Sequence, residues 1–348
     1  MRSKEEIKET GATFTPLGLA NYLADLMTPF LNTENPIILD PACGDGALIQ
    51  AMHQSLRNIG KDAQLYGFDA DKGYLEKAHQ SFLRTGIEAT LIKRDFLDSL
   101  SLEGDENHGR YDAIIANPPY VRTQVLGAEK ARELADQFDL KGRVDLYYAF
   151  LIGMTEKLKE GGVLGVLTSN RYLTTKSGES IRQFLSDHFE ILHVIDLGDT
   201  KLFDAAVLPA IFLGRKKTKK SLTASTSHFT KIYEELNGKQ PEYHAGSVFE
   251  AMNTDQSGCF LIEDKKFNLT KGLLLYEQGS KGLWQMLTDQ EAKWIADIEK
   301  RSIGKIKDFF KVRVGVKTTA DKVFIQKDWN STGFEKPEDS LLYTLISQ

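Results

Sequence analysis

The chain has 348 residues, 41% hydrophobic and 27% charged, with a formal net charge of −5 and a pI near 5.9. That length predicts more than one domain at about 150 residues each, and no apolar run reaches the roughly 18–20 residues that a membrane-spanning helix needs. Cys43 and Cys259 are the only cysteines, which excludes a disulfide scaffold and is expected of a protein of the reducing cytoplasm.

The opening MRSKEEIKETGATF has no apolar core, so no signal peptide is expected. The seven histidines are scattered, with no His-x-x-x-His or Cys-x-x-Cys spacing, so no metal site is expected. The acidic average hides local positive charge: residues 215–220 read RKKTKK, and residues 300–327 hold nine Lys/Arg against two Asp. A phosphate backbone responds to local charge, although charge alone is read more simply as a solvated basic surface.

In chain order, a helix is expected first, with Thr15 as N-cap, Pro16 at N1, and Leu19, Tyr22, Leu23 and Leu26 on its buried face. Pro36–Asp40 (PIILD) reads as a strand that runs into a glycine-rich loop, followed by a helix over Ala47–Ile59. Gln64–Asp69 (QLYGFD) is the second strand, Asp71–Arg84 a helix, and Ala89–Ile92 the third strand. Tyr111–Asn117 is the fourth. A helix over Asp145–Lys159 follows, and Gly161 and Gly162 read as its stop signal. Gly162–Thr168 (GVLGVLT) is the fifth strand, Ser177–Asp187 a helix, and Ile191–Asp196 and Val207–Leu213 complete the set.

Strands alternating with helices predict an α/β fold with a doubly wound, mostly parallel seven-stranded sheet. The last two strands, joined by Leu197–Ala206 without a helical period, are expected as an antiparallel pair at the sheet edge. From about Arg215 the pattern changes: KKTKKSLTASTS reads as a linker and residues 228–280 resist assignment. Residues 287–300 look helical, and VRVGVKTTADKVFIQ alternates like a hairpin. The expected organisation is an α/β domain over 1–214, a connecting region over 215–300, and the start of a further domain over 301–348.

The chemistry gathers at strand ends. Asp40-Pro41-Ala42-Cys43-Gly44-Asp45-Gly46 places glycines between a strand and a helix, where a ligand can approach the backbone closely. Two carboxylates in that turn would repel a pyrophosphate and suit a cationic ligand without phosphate; S-adenosylmethionine, with its ammonium and sulfonium, fits better than NAD. Asp69 closes the next strand, where a carboxylate can accept from ribose hydroxyls. Asp95, followed by Phe96, ends the third strand, where it can accept from an adenine amine.

Asn117-Pro118-Pro119-Tyr120 follows the fourth strand. Prolines end sheet pairing by removing backbone donors, which frees carbonyl oxygens. The Asn117 side-chain oxygen and the Pro118 carbonyl can hold both hydrogens of a planar amino group and aim its lone pair at an electrophilic methyl. Tyr120 offers a face on which an extruded base can stack.

These motifs resemble those of the gamma-class DNA adenine-N6 methyltransferases, the group typified by TaqI DNA methyltransferase. The matching stretches are TFTPLGLANYLADLM, ILDPACGDGALI, YGFDADKGYL, KRDFLD, YDAIIANPPYV, DLYYAFLIGMTEKLKEGGVLGVLTSNRYL and LFDAAVLPAIFLG, in that order over residues 10–214. The resemblance implies a class I S-adenosylmethionine-dependent methyltransferase fold and site-specific methylation of a flipped adenine in duplex DNA. It implies a restriction-modification setting, with a restriction or specificity subunit or domain as a further partner.

It also implies that Thr15 and the Asp40–Gly46 loop, through Asp40, Pro41, Ala42 and Gly44, contact the methionine end of the cofactor. Asp69 and Ala70 would flank its ribose and adenine, and Asp95 and Phe96 would hold the adenine. Asn117 and Pro118, followed by Pro119, would bind the target amine beside the cofactor, with Tyr120 on one face of the base and Phe203 on the other. Residues after 300 are fewer than a recognition domain of that family needs, so a truncated chain or one part of a larger enzyme is expected. Too few residues precede the first strand for an N-terminal nuclease domain, and RKKTKK matches no family motif.

Two alternatives stay open: a methyltransferase using the same Asn-Pro-Pro-Tyr acceptor on a release-factor glutamine or an rRNA base, and a non-catalytic DNA-binding subunit. Neither the DNA target sequence, nor the oligomeric state, nor an associated nuclease is legible.

Overall fold

The computed structural model describes residues 14–100, 109–119, 146–202, 208–218, 226–276 and 282–310, together with Asp328, Trp329 and Glu338. The chain divides into two compact units, Met1–Lys293 and Trp294–Gln348.

The first unit opens with α1 (Leu17–Met27) and continues through β1 (Ile37–Asp40), α2 (Ala47–Asn58), β2 (Gln64–Asp69), α3 (Lys72–Thr85), β3 (Ala89–Lys93) and β4 (Tyr111–Ala116). Next come α4 (Leu146–Lys157), β5 (Leu158–Ser169), α5 (Glu179–His188), β6 (Phe189–Asp196) and β7 (Pro209–Lys216). Past these lie β8 (His228–Glu234), β9 (Tyr243–Ala245), α6 (Val248–Asn253), β10 (Gly258–Ile262), β11 (Lys265–Leu275) and β12 (Gln285–Leu287). A further helix, α7 (Asp289–Arg301), follows β12.

All seven expected strands form, but the sheet is larger. Among the described residues twelve strands form it, in the order β3-β2-β1-β4-β5-β7-β6-β8-β11-β10-β9, with β12 paired to β11. Strands β1 to β5 are mutually parallel where they pair. β7 lies antiparallel between β5 and β6, so the expected antiparallel pair forms but does not end the sheet. β6 pairs onward with β8 in parallel. The residues that resisted assignment therefore extend the same sheet, and the compact unit continues to Lys293 instead of closing at 214. Strands of mixed polarity carry little period, and β8, which joins them to the rest of the sheet, pairs with β6 and β11 well away from it in sequence.

A second difference lies at Gly161 and Gly162. α4 ends at Lys157, and the chain enters β5 at once, with Tyr111 opposite Leu158 and Ala113 opposite Val163 across a register shift. The glycines sit inside this irregular strand entry, Gly161 at φ +77°. Pairing with β4 overrides the local helix-stop signal.

Strand alternation builds the core. Ala113 and Ile115 of β4 face one apolar layer with Leu19, Leu23 and Met27 of α1 and Met52 of α2. Ile114 and Ala116 face the other, with Phe150 and Met154 of α4 and Leu185 of α5. Burial on both faces is why these strands read as continuous apolar runs.

The basic tract has a structural use. β7 runs from Pro209, opposite Ser169, to Lys216, opposite Phe189, so its basic end lies at the amino edge of the parallel strands. Lys216 Nζ donates to the carbonyls of Thr155 and Leu158, the latter at 2.7 Å, and Lys217 Nζ to that of Ser186 at 2.6 Å. These lysines satisfy carbonyls at the ends of α4 and α5. Among the described residues no helix is long and apolar enough to cross a membrane, and no cluster of three or more His, Cys, Asp or Glu could hold a metal. The hairpin expected in VRVGVKTTADKVFIQ lies outside the described residues.

Candidate active site

The order β3-β2-β1-β4 brings the carboxyl ends of four strands side by side, and the predicted acids sit there. After β1, Asp40 is 1% exposed, with Oδ1 accepting the Ala42 N–H at 3.1 Å. Burial pushes its carboxyl up to about 8; the neighbouring carboxylates of Asp69 and Asp45 push the same way, against the opposing Ala42 hydrogen bond. A carboxyl in this state gains from a cation placed beside it. Asp45, half-buried, is also raised, by burial first, with Lys77 opposing.

The loop is pinned to β2. The Cys43 N–H donates to Phe68 O at 2.8 Å, and the Gly44 N–H to Asp69 Oδ2 at 2.9 Å. Close approach demands glycine at two points. A Cβ on Gly67 would lie 2.8–2.9 Å from Ile49, Cys43 and Leu91, and one on Gly46, at φ +86°, would lie 2.5 Å from the Phe82 ring. Pro41 is buried and Ala42 partly exposed.

Asp69 Oδ1 accepts the Asp71 N–H at 2.8 Å, and exposed Ala70 lies between them. Asp71 in turn caps α3 through the N–H groups of Gly73 and Tyr74. Asp95 is exposed and accepts the Leu97 N–H at 2.9 Å. Phe96 departs from expectation: its ring is 1% exposed, stacked on Phe150 with centroids 5.4 Å apart. Packing takes the ring into the core, so any role beside a ligand falls to its backbone.

Asn117, at the end of β4, is 9% exposed, and its Nδ2 donates to Thr15 Oγ1 at 3.0 Å. Thr15 is thus not the helix cap: Pro16 occupies that place without a side-chain cap bond. Pro118 is buried and Pro119 half-buried. Tyr120 and Phe203 lie outside the described residues.

Sequence reading missed Phe14, whose half-exposed ring meets Tyr74 edge-on with centroids 5.3 Å apart. Thr15 bonds the residue after β4 while Phe14 meets the first turn of α3, the helix that follows β2, and β1 lies between β4 and β2 in the sheet. The aromatic just before Thr15-Pro16 was the available signal. The buried carboxyl of Asp40 among Asp45 and Asp69 fits a ligand with ammonium and sulfonium charge, and the loop glycines fit close contact.

The fold is that of the class I S-adenosylmethionine-dependent methyltransferases, for which S-adenosylmethionine is the cofactor. A protein from Listeria monocytogenes described as belonging to that class superposes with a TM-score of 0.53 at 22% identity, over 63% of this chain and 65% of that one. By sequence, residues 54–203 match the model of the family described as Eco57I restriction-modification methylase. Type II methyltransferase M.BanIII of Aneurinibacillus aneurinilyticus is 43% identical over 98% of the chain and 62% of its own length. M.BstVI of Geobacillus stearothermophilus is 24% identical over 93% of the chain and 61% of its length. The chain thus spans about three fifths of the curated relatives it matches.

Proposed function

We propose that the protein transfers a methyl group from S-adenosylmethionine to N6 of a flipped adenine at a specific sequence in duplex DNA. It would act in the cytoplasm as the modification arm of a restriction-modification system, with a restriction or specificity component as partner. The observation that carries this reading is Asn117, buried at the end of β4 beside the acid loop of β1 and tied to Thr15. The 43% identity to M.BanIII over nearly the whole chain supports DNA as the substrate.

The cofactor supplies an electrophilic methyl on a sulfonium. Asp40 and the Ala42 and Gly44 backbone hold its methionine end, with Thr15 closing over it. Asp69 and Ala70 meet the ribose and adenine, and Asp95 with the Phe96 backbone meets the adenine edge. Asn117 Oδ1 and the Pro118 carbonyl, the latter freed by Pro119, accept the two N6 hydrogens of the target. That grip draws the nitrogen lone pair out of ring conjugation and fixes its direction. Tyr120 and Phe203 stack on the two faces of the base. The gamma-class, TaqI-like assignment belongs to the same proposal, as does reading 301–348 as the start of the target-recognition domain.

The test is a tritium-transfer assay on unmethylated genomic DNA, rRNA and release factor, run with the wild type and Asn117→Ala. Transfer to DNA that Asn117→Ala abolishes, while calorimetry shows cofactor still bound, is the expected result. Labelling of release factor or rRNA in preference to DNA overturns the choice of substrate. Near-normal turnover by the variant overturns the role of Asn117.

A further inference from the structure

The residues just before α1 tie two elements together. Thr15 Oγ1 accepts from Asn117 Nδ2 at 3.0 Å, and the Phe14 ring meets the Tyr74 ring edge-on with centroids 5.3 Å apart. Neither contact serves the helix. Pro16 holds the N-cap position with no side-chain cap bond, and its carbonyl accepts the Leu19 and Ala20 N–H groups, both at 3.0 Å. A residue before proline is biased away from helical backbone, so Thr15 stands ahead of the first turn and its hydroxyl turns to Asn117.

The segment is anchored on both sides. The Tyr74 N–H donates to Asp71 Oδ1 at 3.4 Å, and the Asp71 N–H to Asp69 Oδ1 at 2.8 Å. Lys77 Nζ lies 5.4 Å from the Tyr74 ring centroid. Tyr74 is thus a held seat on which the half-exposed Phe14 ring rests. On the other side, α1 buries Leu19, Leu23 and Met27 in the core.

The bond to Thr15 matters because the terminal torsion of an asparagine is broad and roughly two-fold. Burial alone does not choose how the amide plane lies, whereas a hydrogen bond at one end does. With Nδ2 turned to Thr15, Oδ1 is the end turned to the target amine in the reaction proposed above. An amide turned the other way would set its own N–H donors against those of the amine.

We propose that Phe14 and Tyr74 form a clasp that seats the Thr15 hydroxyl against Asn117. Phe14, Thr15 and Tyr74 are then positioning residues for the amide that grips the target. An edge-to-face ring pair is worth roughly two- to tenfold in an equilibrium constant, enough to decide where a short segment lies. This inference rests on the methyl-transfer reading above, and it is separate from any contact of Thr15 with the cofactor.

The test is single-turnover methyl transfer at saturating cofactor and saturating unmethylated genomic DNA, where differences in affinity drop out. Thr15→Val keeps the shape, removes the hydroxyl and should be about tenfold slow; Thr15→Ser should restore the rate to within about twofold. Phe14→Ala and Tyr74→Ala should each be about fivefold slow. Phe14→Ala combined with Thr15→Val should be no slower than Thr15→Val alone, because the clasp acts through the hydroxyl. In protein carrying isotope-labelled asparagine, the side-chain amide resonance missing from Asn117→Ala reports the amide directly. It should shift in Thr15→Val and Phe14→Ala and hold its place in Thr15→Ser.

A Thr15→Val rate equal to wild type overturns the proposal. So does a Thr15→Ser rate as low as that of Thr15→Val, or a fully additive loss in the double variant. If the wild type transfers no methyl to DNA, the proposed reaction fails, and the resonance still decides the positioning. Unmoved by Thr15→Val and Phe14→Ala, it overturns the clasp; moved by both but not by Thr15→Ser, it supports it.

Discussion

At the ends of β1, β2 and β3, Asp40, Asp69 and Asp95 each accept backbone N–H groups from their own or a neighbouring loop. At the ends of β5, β6 and β8, Asn170, Asp196 and Tyr233 bond chiefly to one another. A carboxylate has about four lone-pair sites. Backbone amides orient the carboxylates of the first cluster, and side chains from other strands close around that of the second. Two clusters of similar composition on one sheet edge thus differ in what their carboxylates bond, backbone amides in one and side chains of other strands in the other.

The sharpest way to break this contrast is at the boundary between them. Asn117→Ala should lower single-turnover methyl transfer by at least about a thousandfold, the scale of losing an aligned polar group at a reacting centre. Cofactor Kd by calorimetry should change little, because the β1 and β2 acids remain.

Asp69→Ala should weaken cofactor binding about ten- to a hundredfold, since it removes ligand acceptors and also frees the Gly44 N–H it holds. An unchanged Kd would place the ligand elsewhere. Gly67→Ala should destabilise the fold by about 1–3 kcal/mol, read from denaturant melts, because three side chains already occupy the space of the new methyl.

The pH dependence follows from Asp40, whose carboxyl is raised in the fold from 3.8 to about 8. Its native value lies above its unfolded one. The associated stability is therefore complete below about pH 4 and is lost as pH rises through about 8. The cofactor-free protein should lose melting temperature over that window, and Asp40→Asn should flatten the slope. Cofactor affinity in the wild type should rise over the same window as the carboxylate forms to meet the ammonium, and calorimetry across pH would measure it. The smallest effect is expected at Lys217→Ala. Its ammonium engages the Ser186 carbonyl at the opposite sheet edge, so the salt dependence of DNA affinity should not move. A reduced slope would return the basic tract to the DNA-binding surface.

The placement of the first cluster was legible in sequence because its residues follow strands with a strong apolar period. Asp40, Asp69, Asp95 and Asn117 each end or follow such a run, and a parallel sheet gathers those ends on one edge. The second cluster was not legible. Asn170 and Asp196 also follow apolar strands, but their partner Tyr233 comes from β8, whose weak pattern hid that it joins the sheet. The direction of the Phe96 ring was not legible for a related reason: an aromatic beside an acid looks alike in sequence whether it faces a ligand or the core, and packing on Phe150 decided it.

Sequence alone determined the seven strands of the doubly wound core, the acid loops at their ends and the Asn-Pro-Pro turn, because hydrophobic period and proline chemistry act over neighbouring residues. Tertiary structure alone decided the rest. Thr15 bonds Asn117 instead of capping its helix, the lysines at the end of β7 meet carbonyls at helix ends, and the sheet extends through β8, whose Tyr233 bonds Asp196. Each of these depends on contacts between residues distant in the chain, and local propensity carries no information about which distant groups will meet.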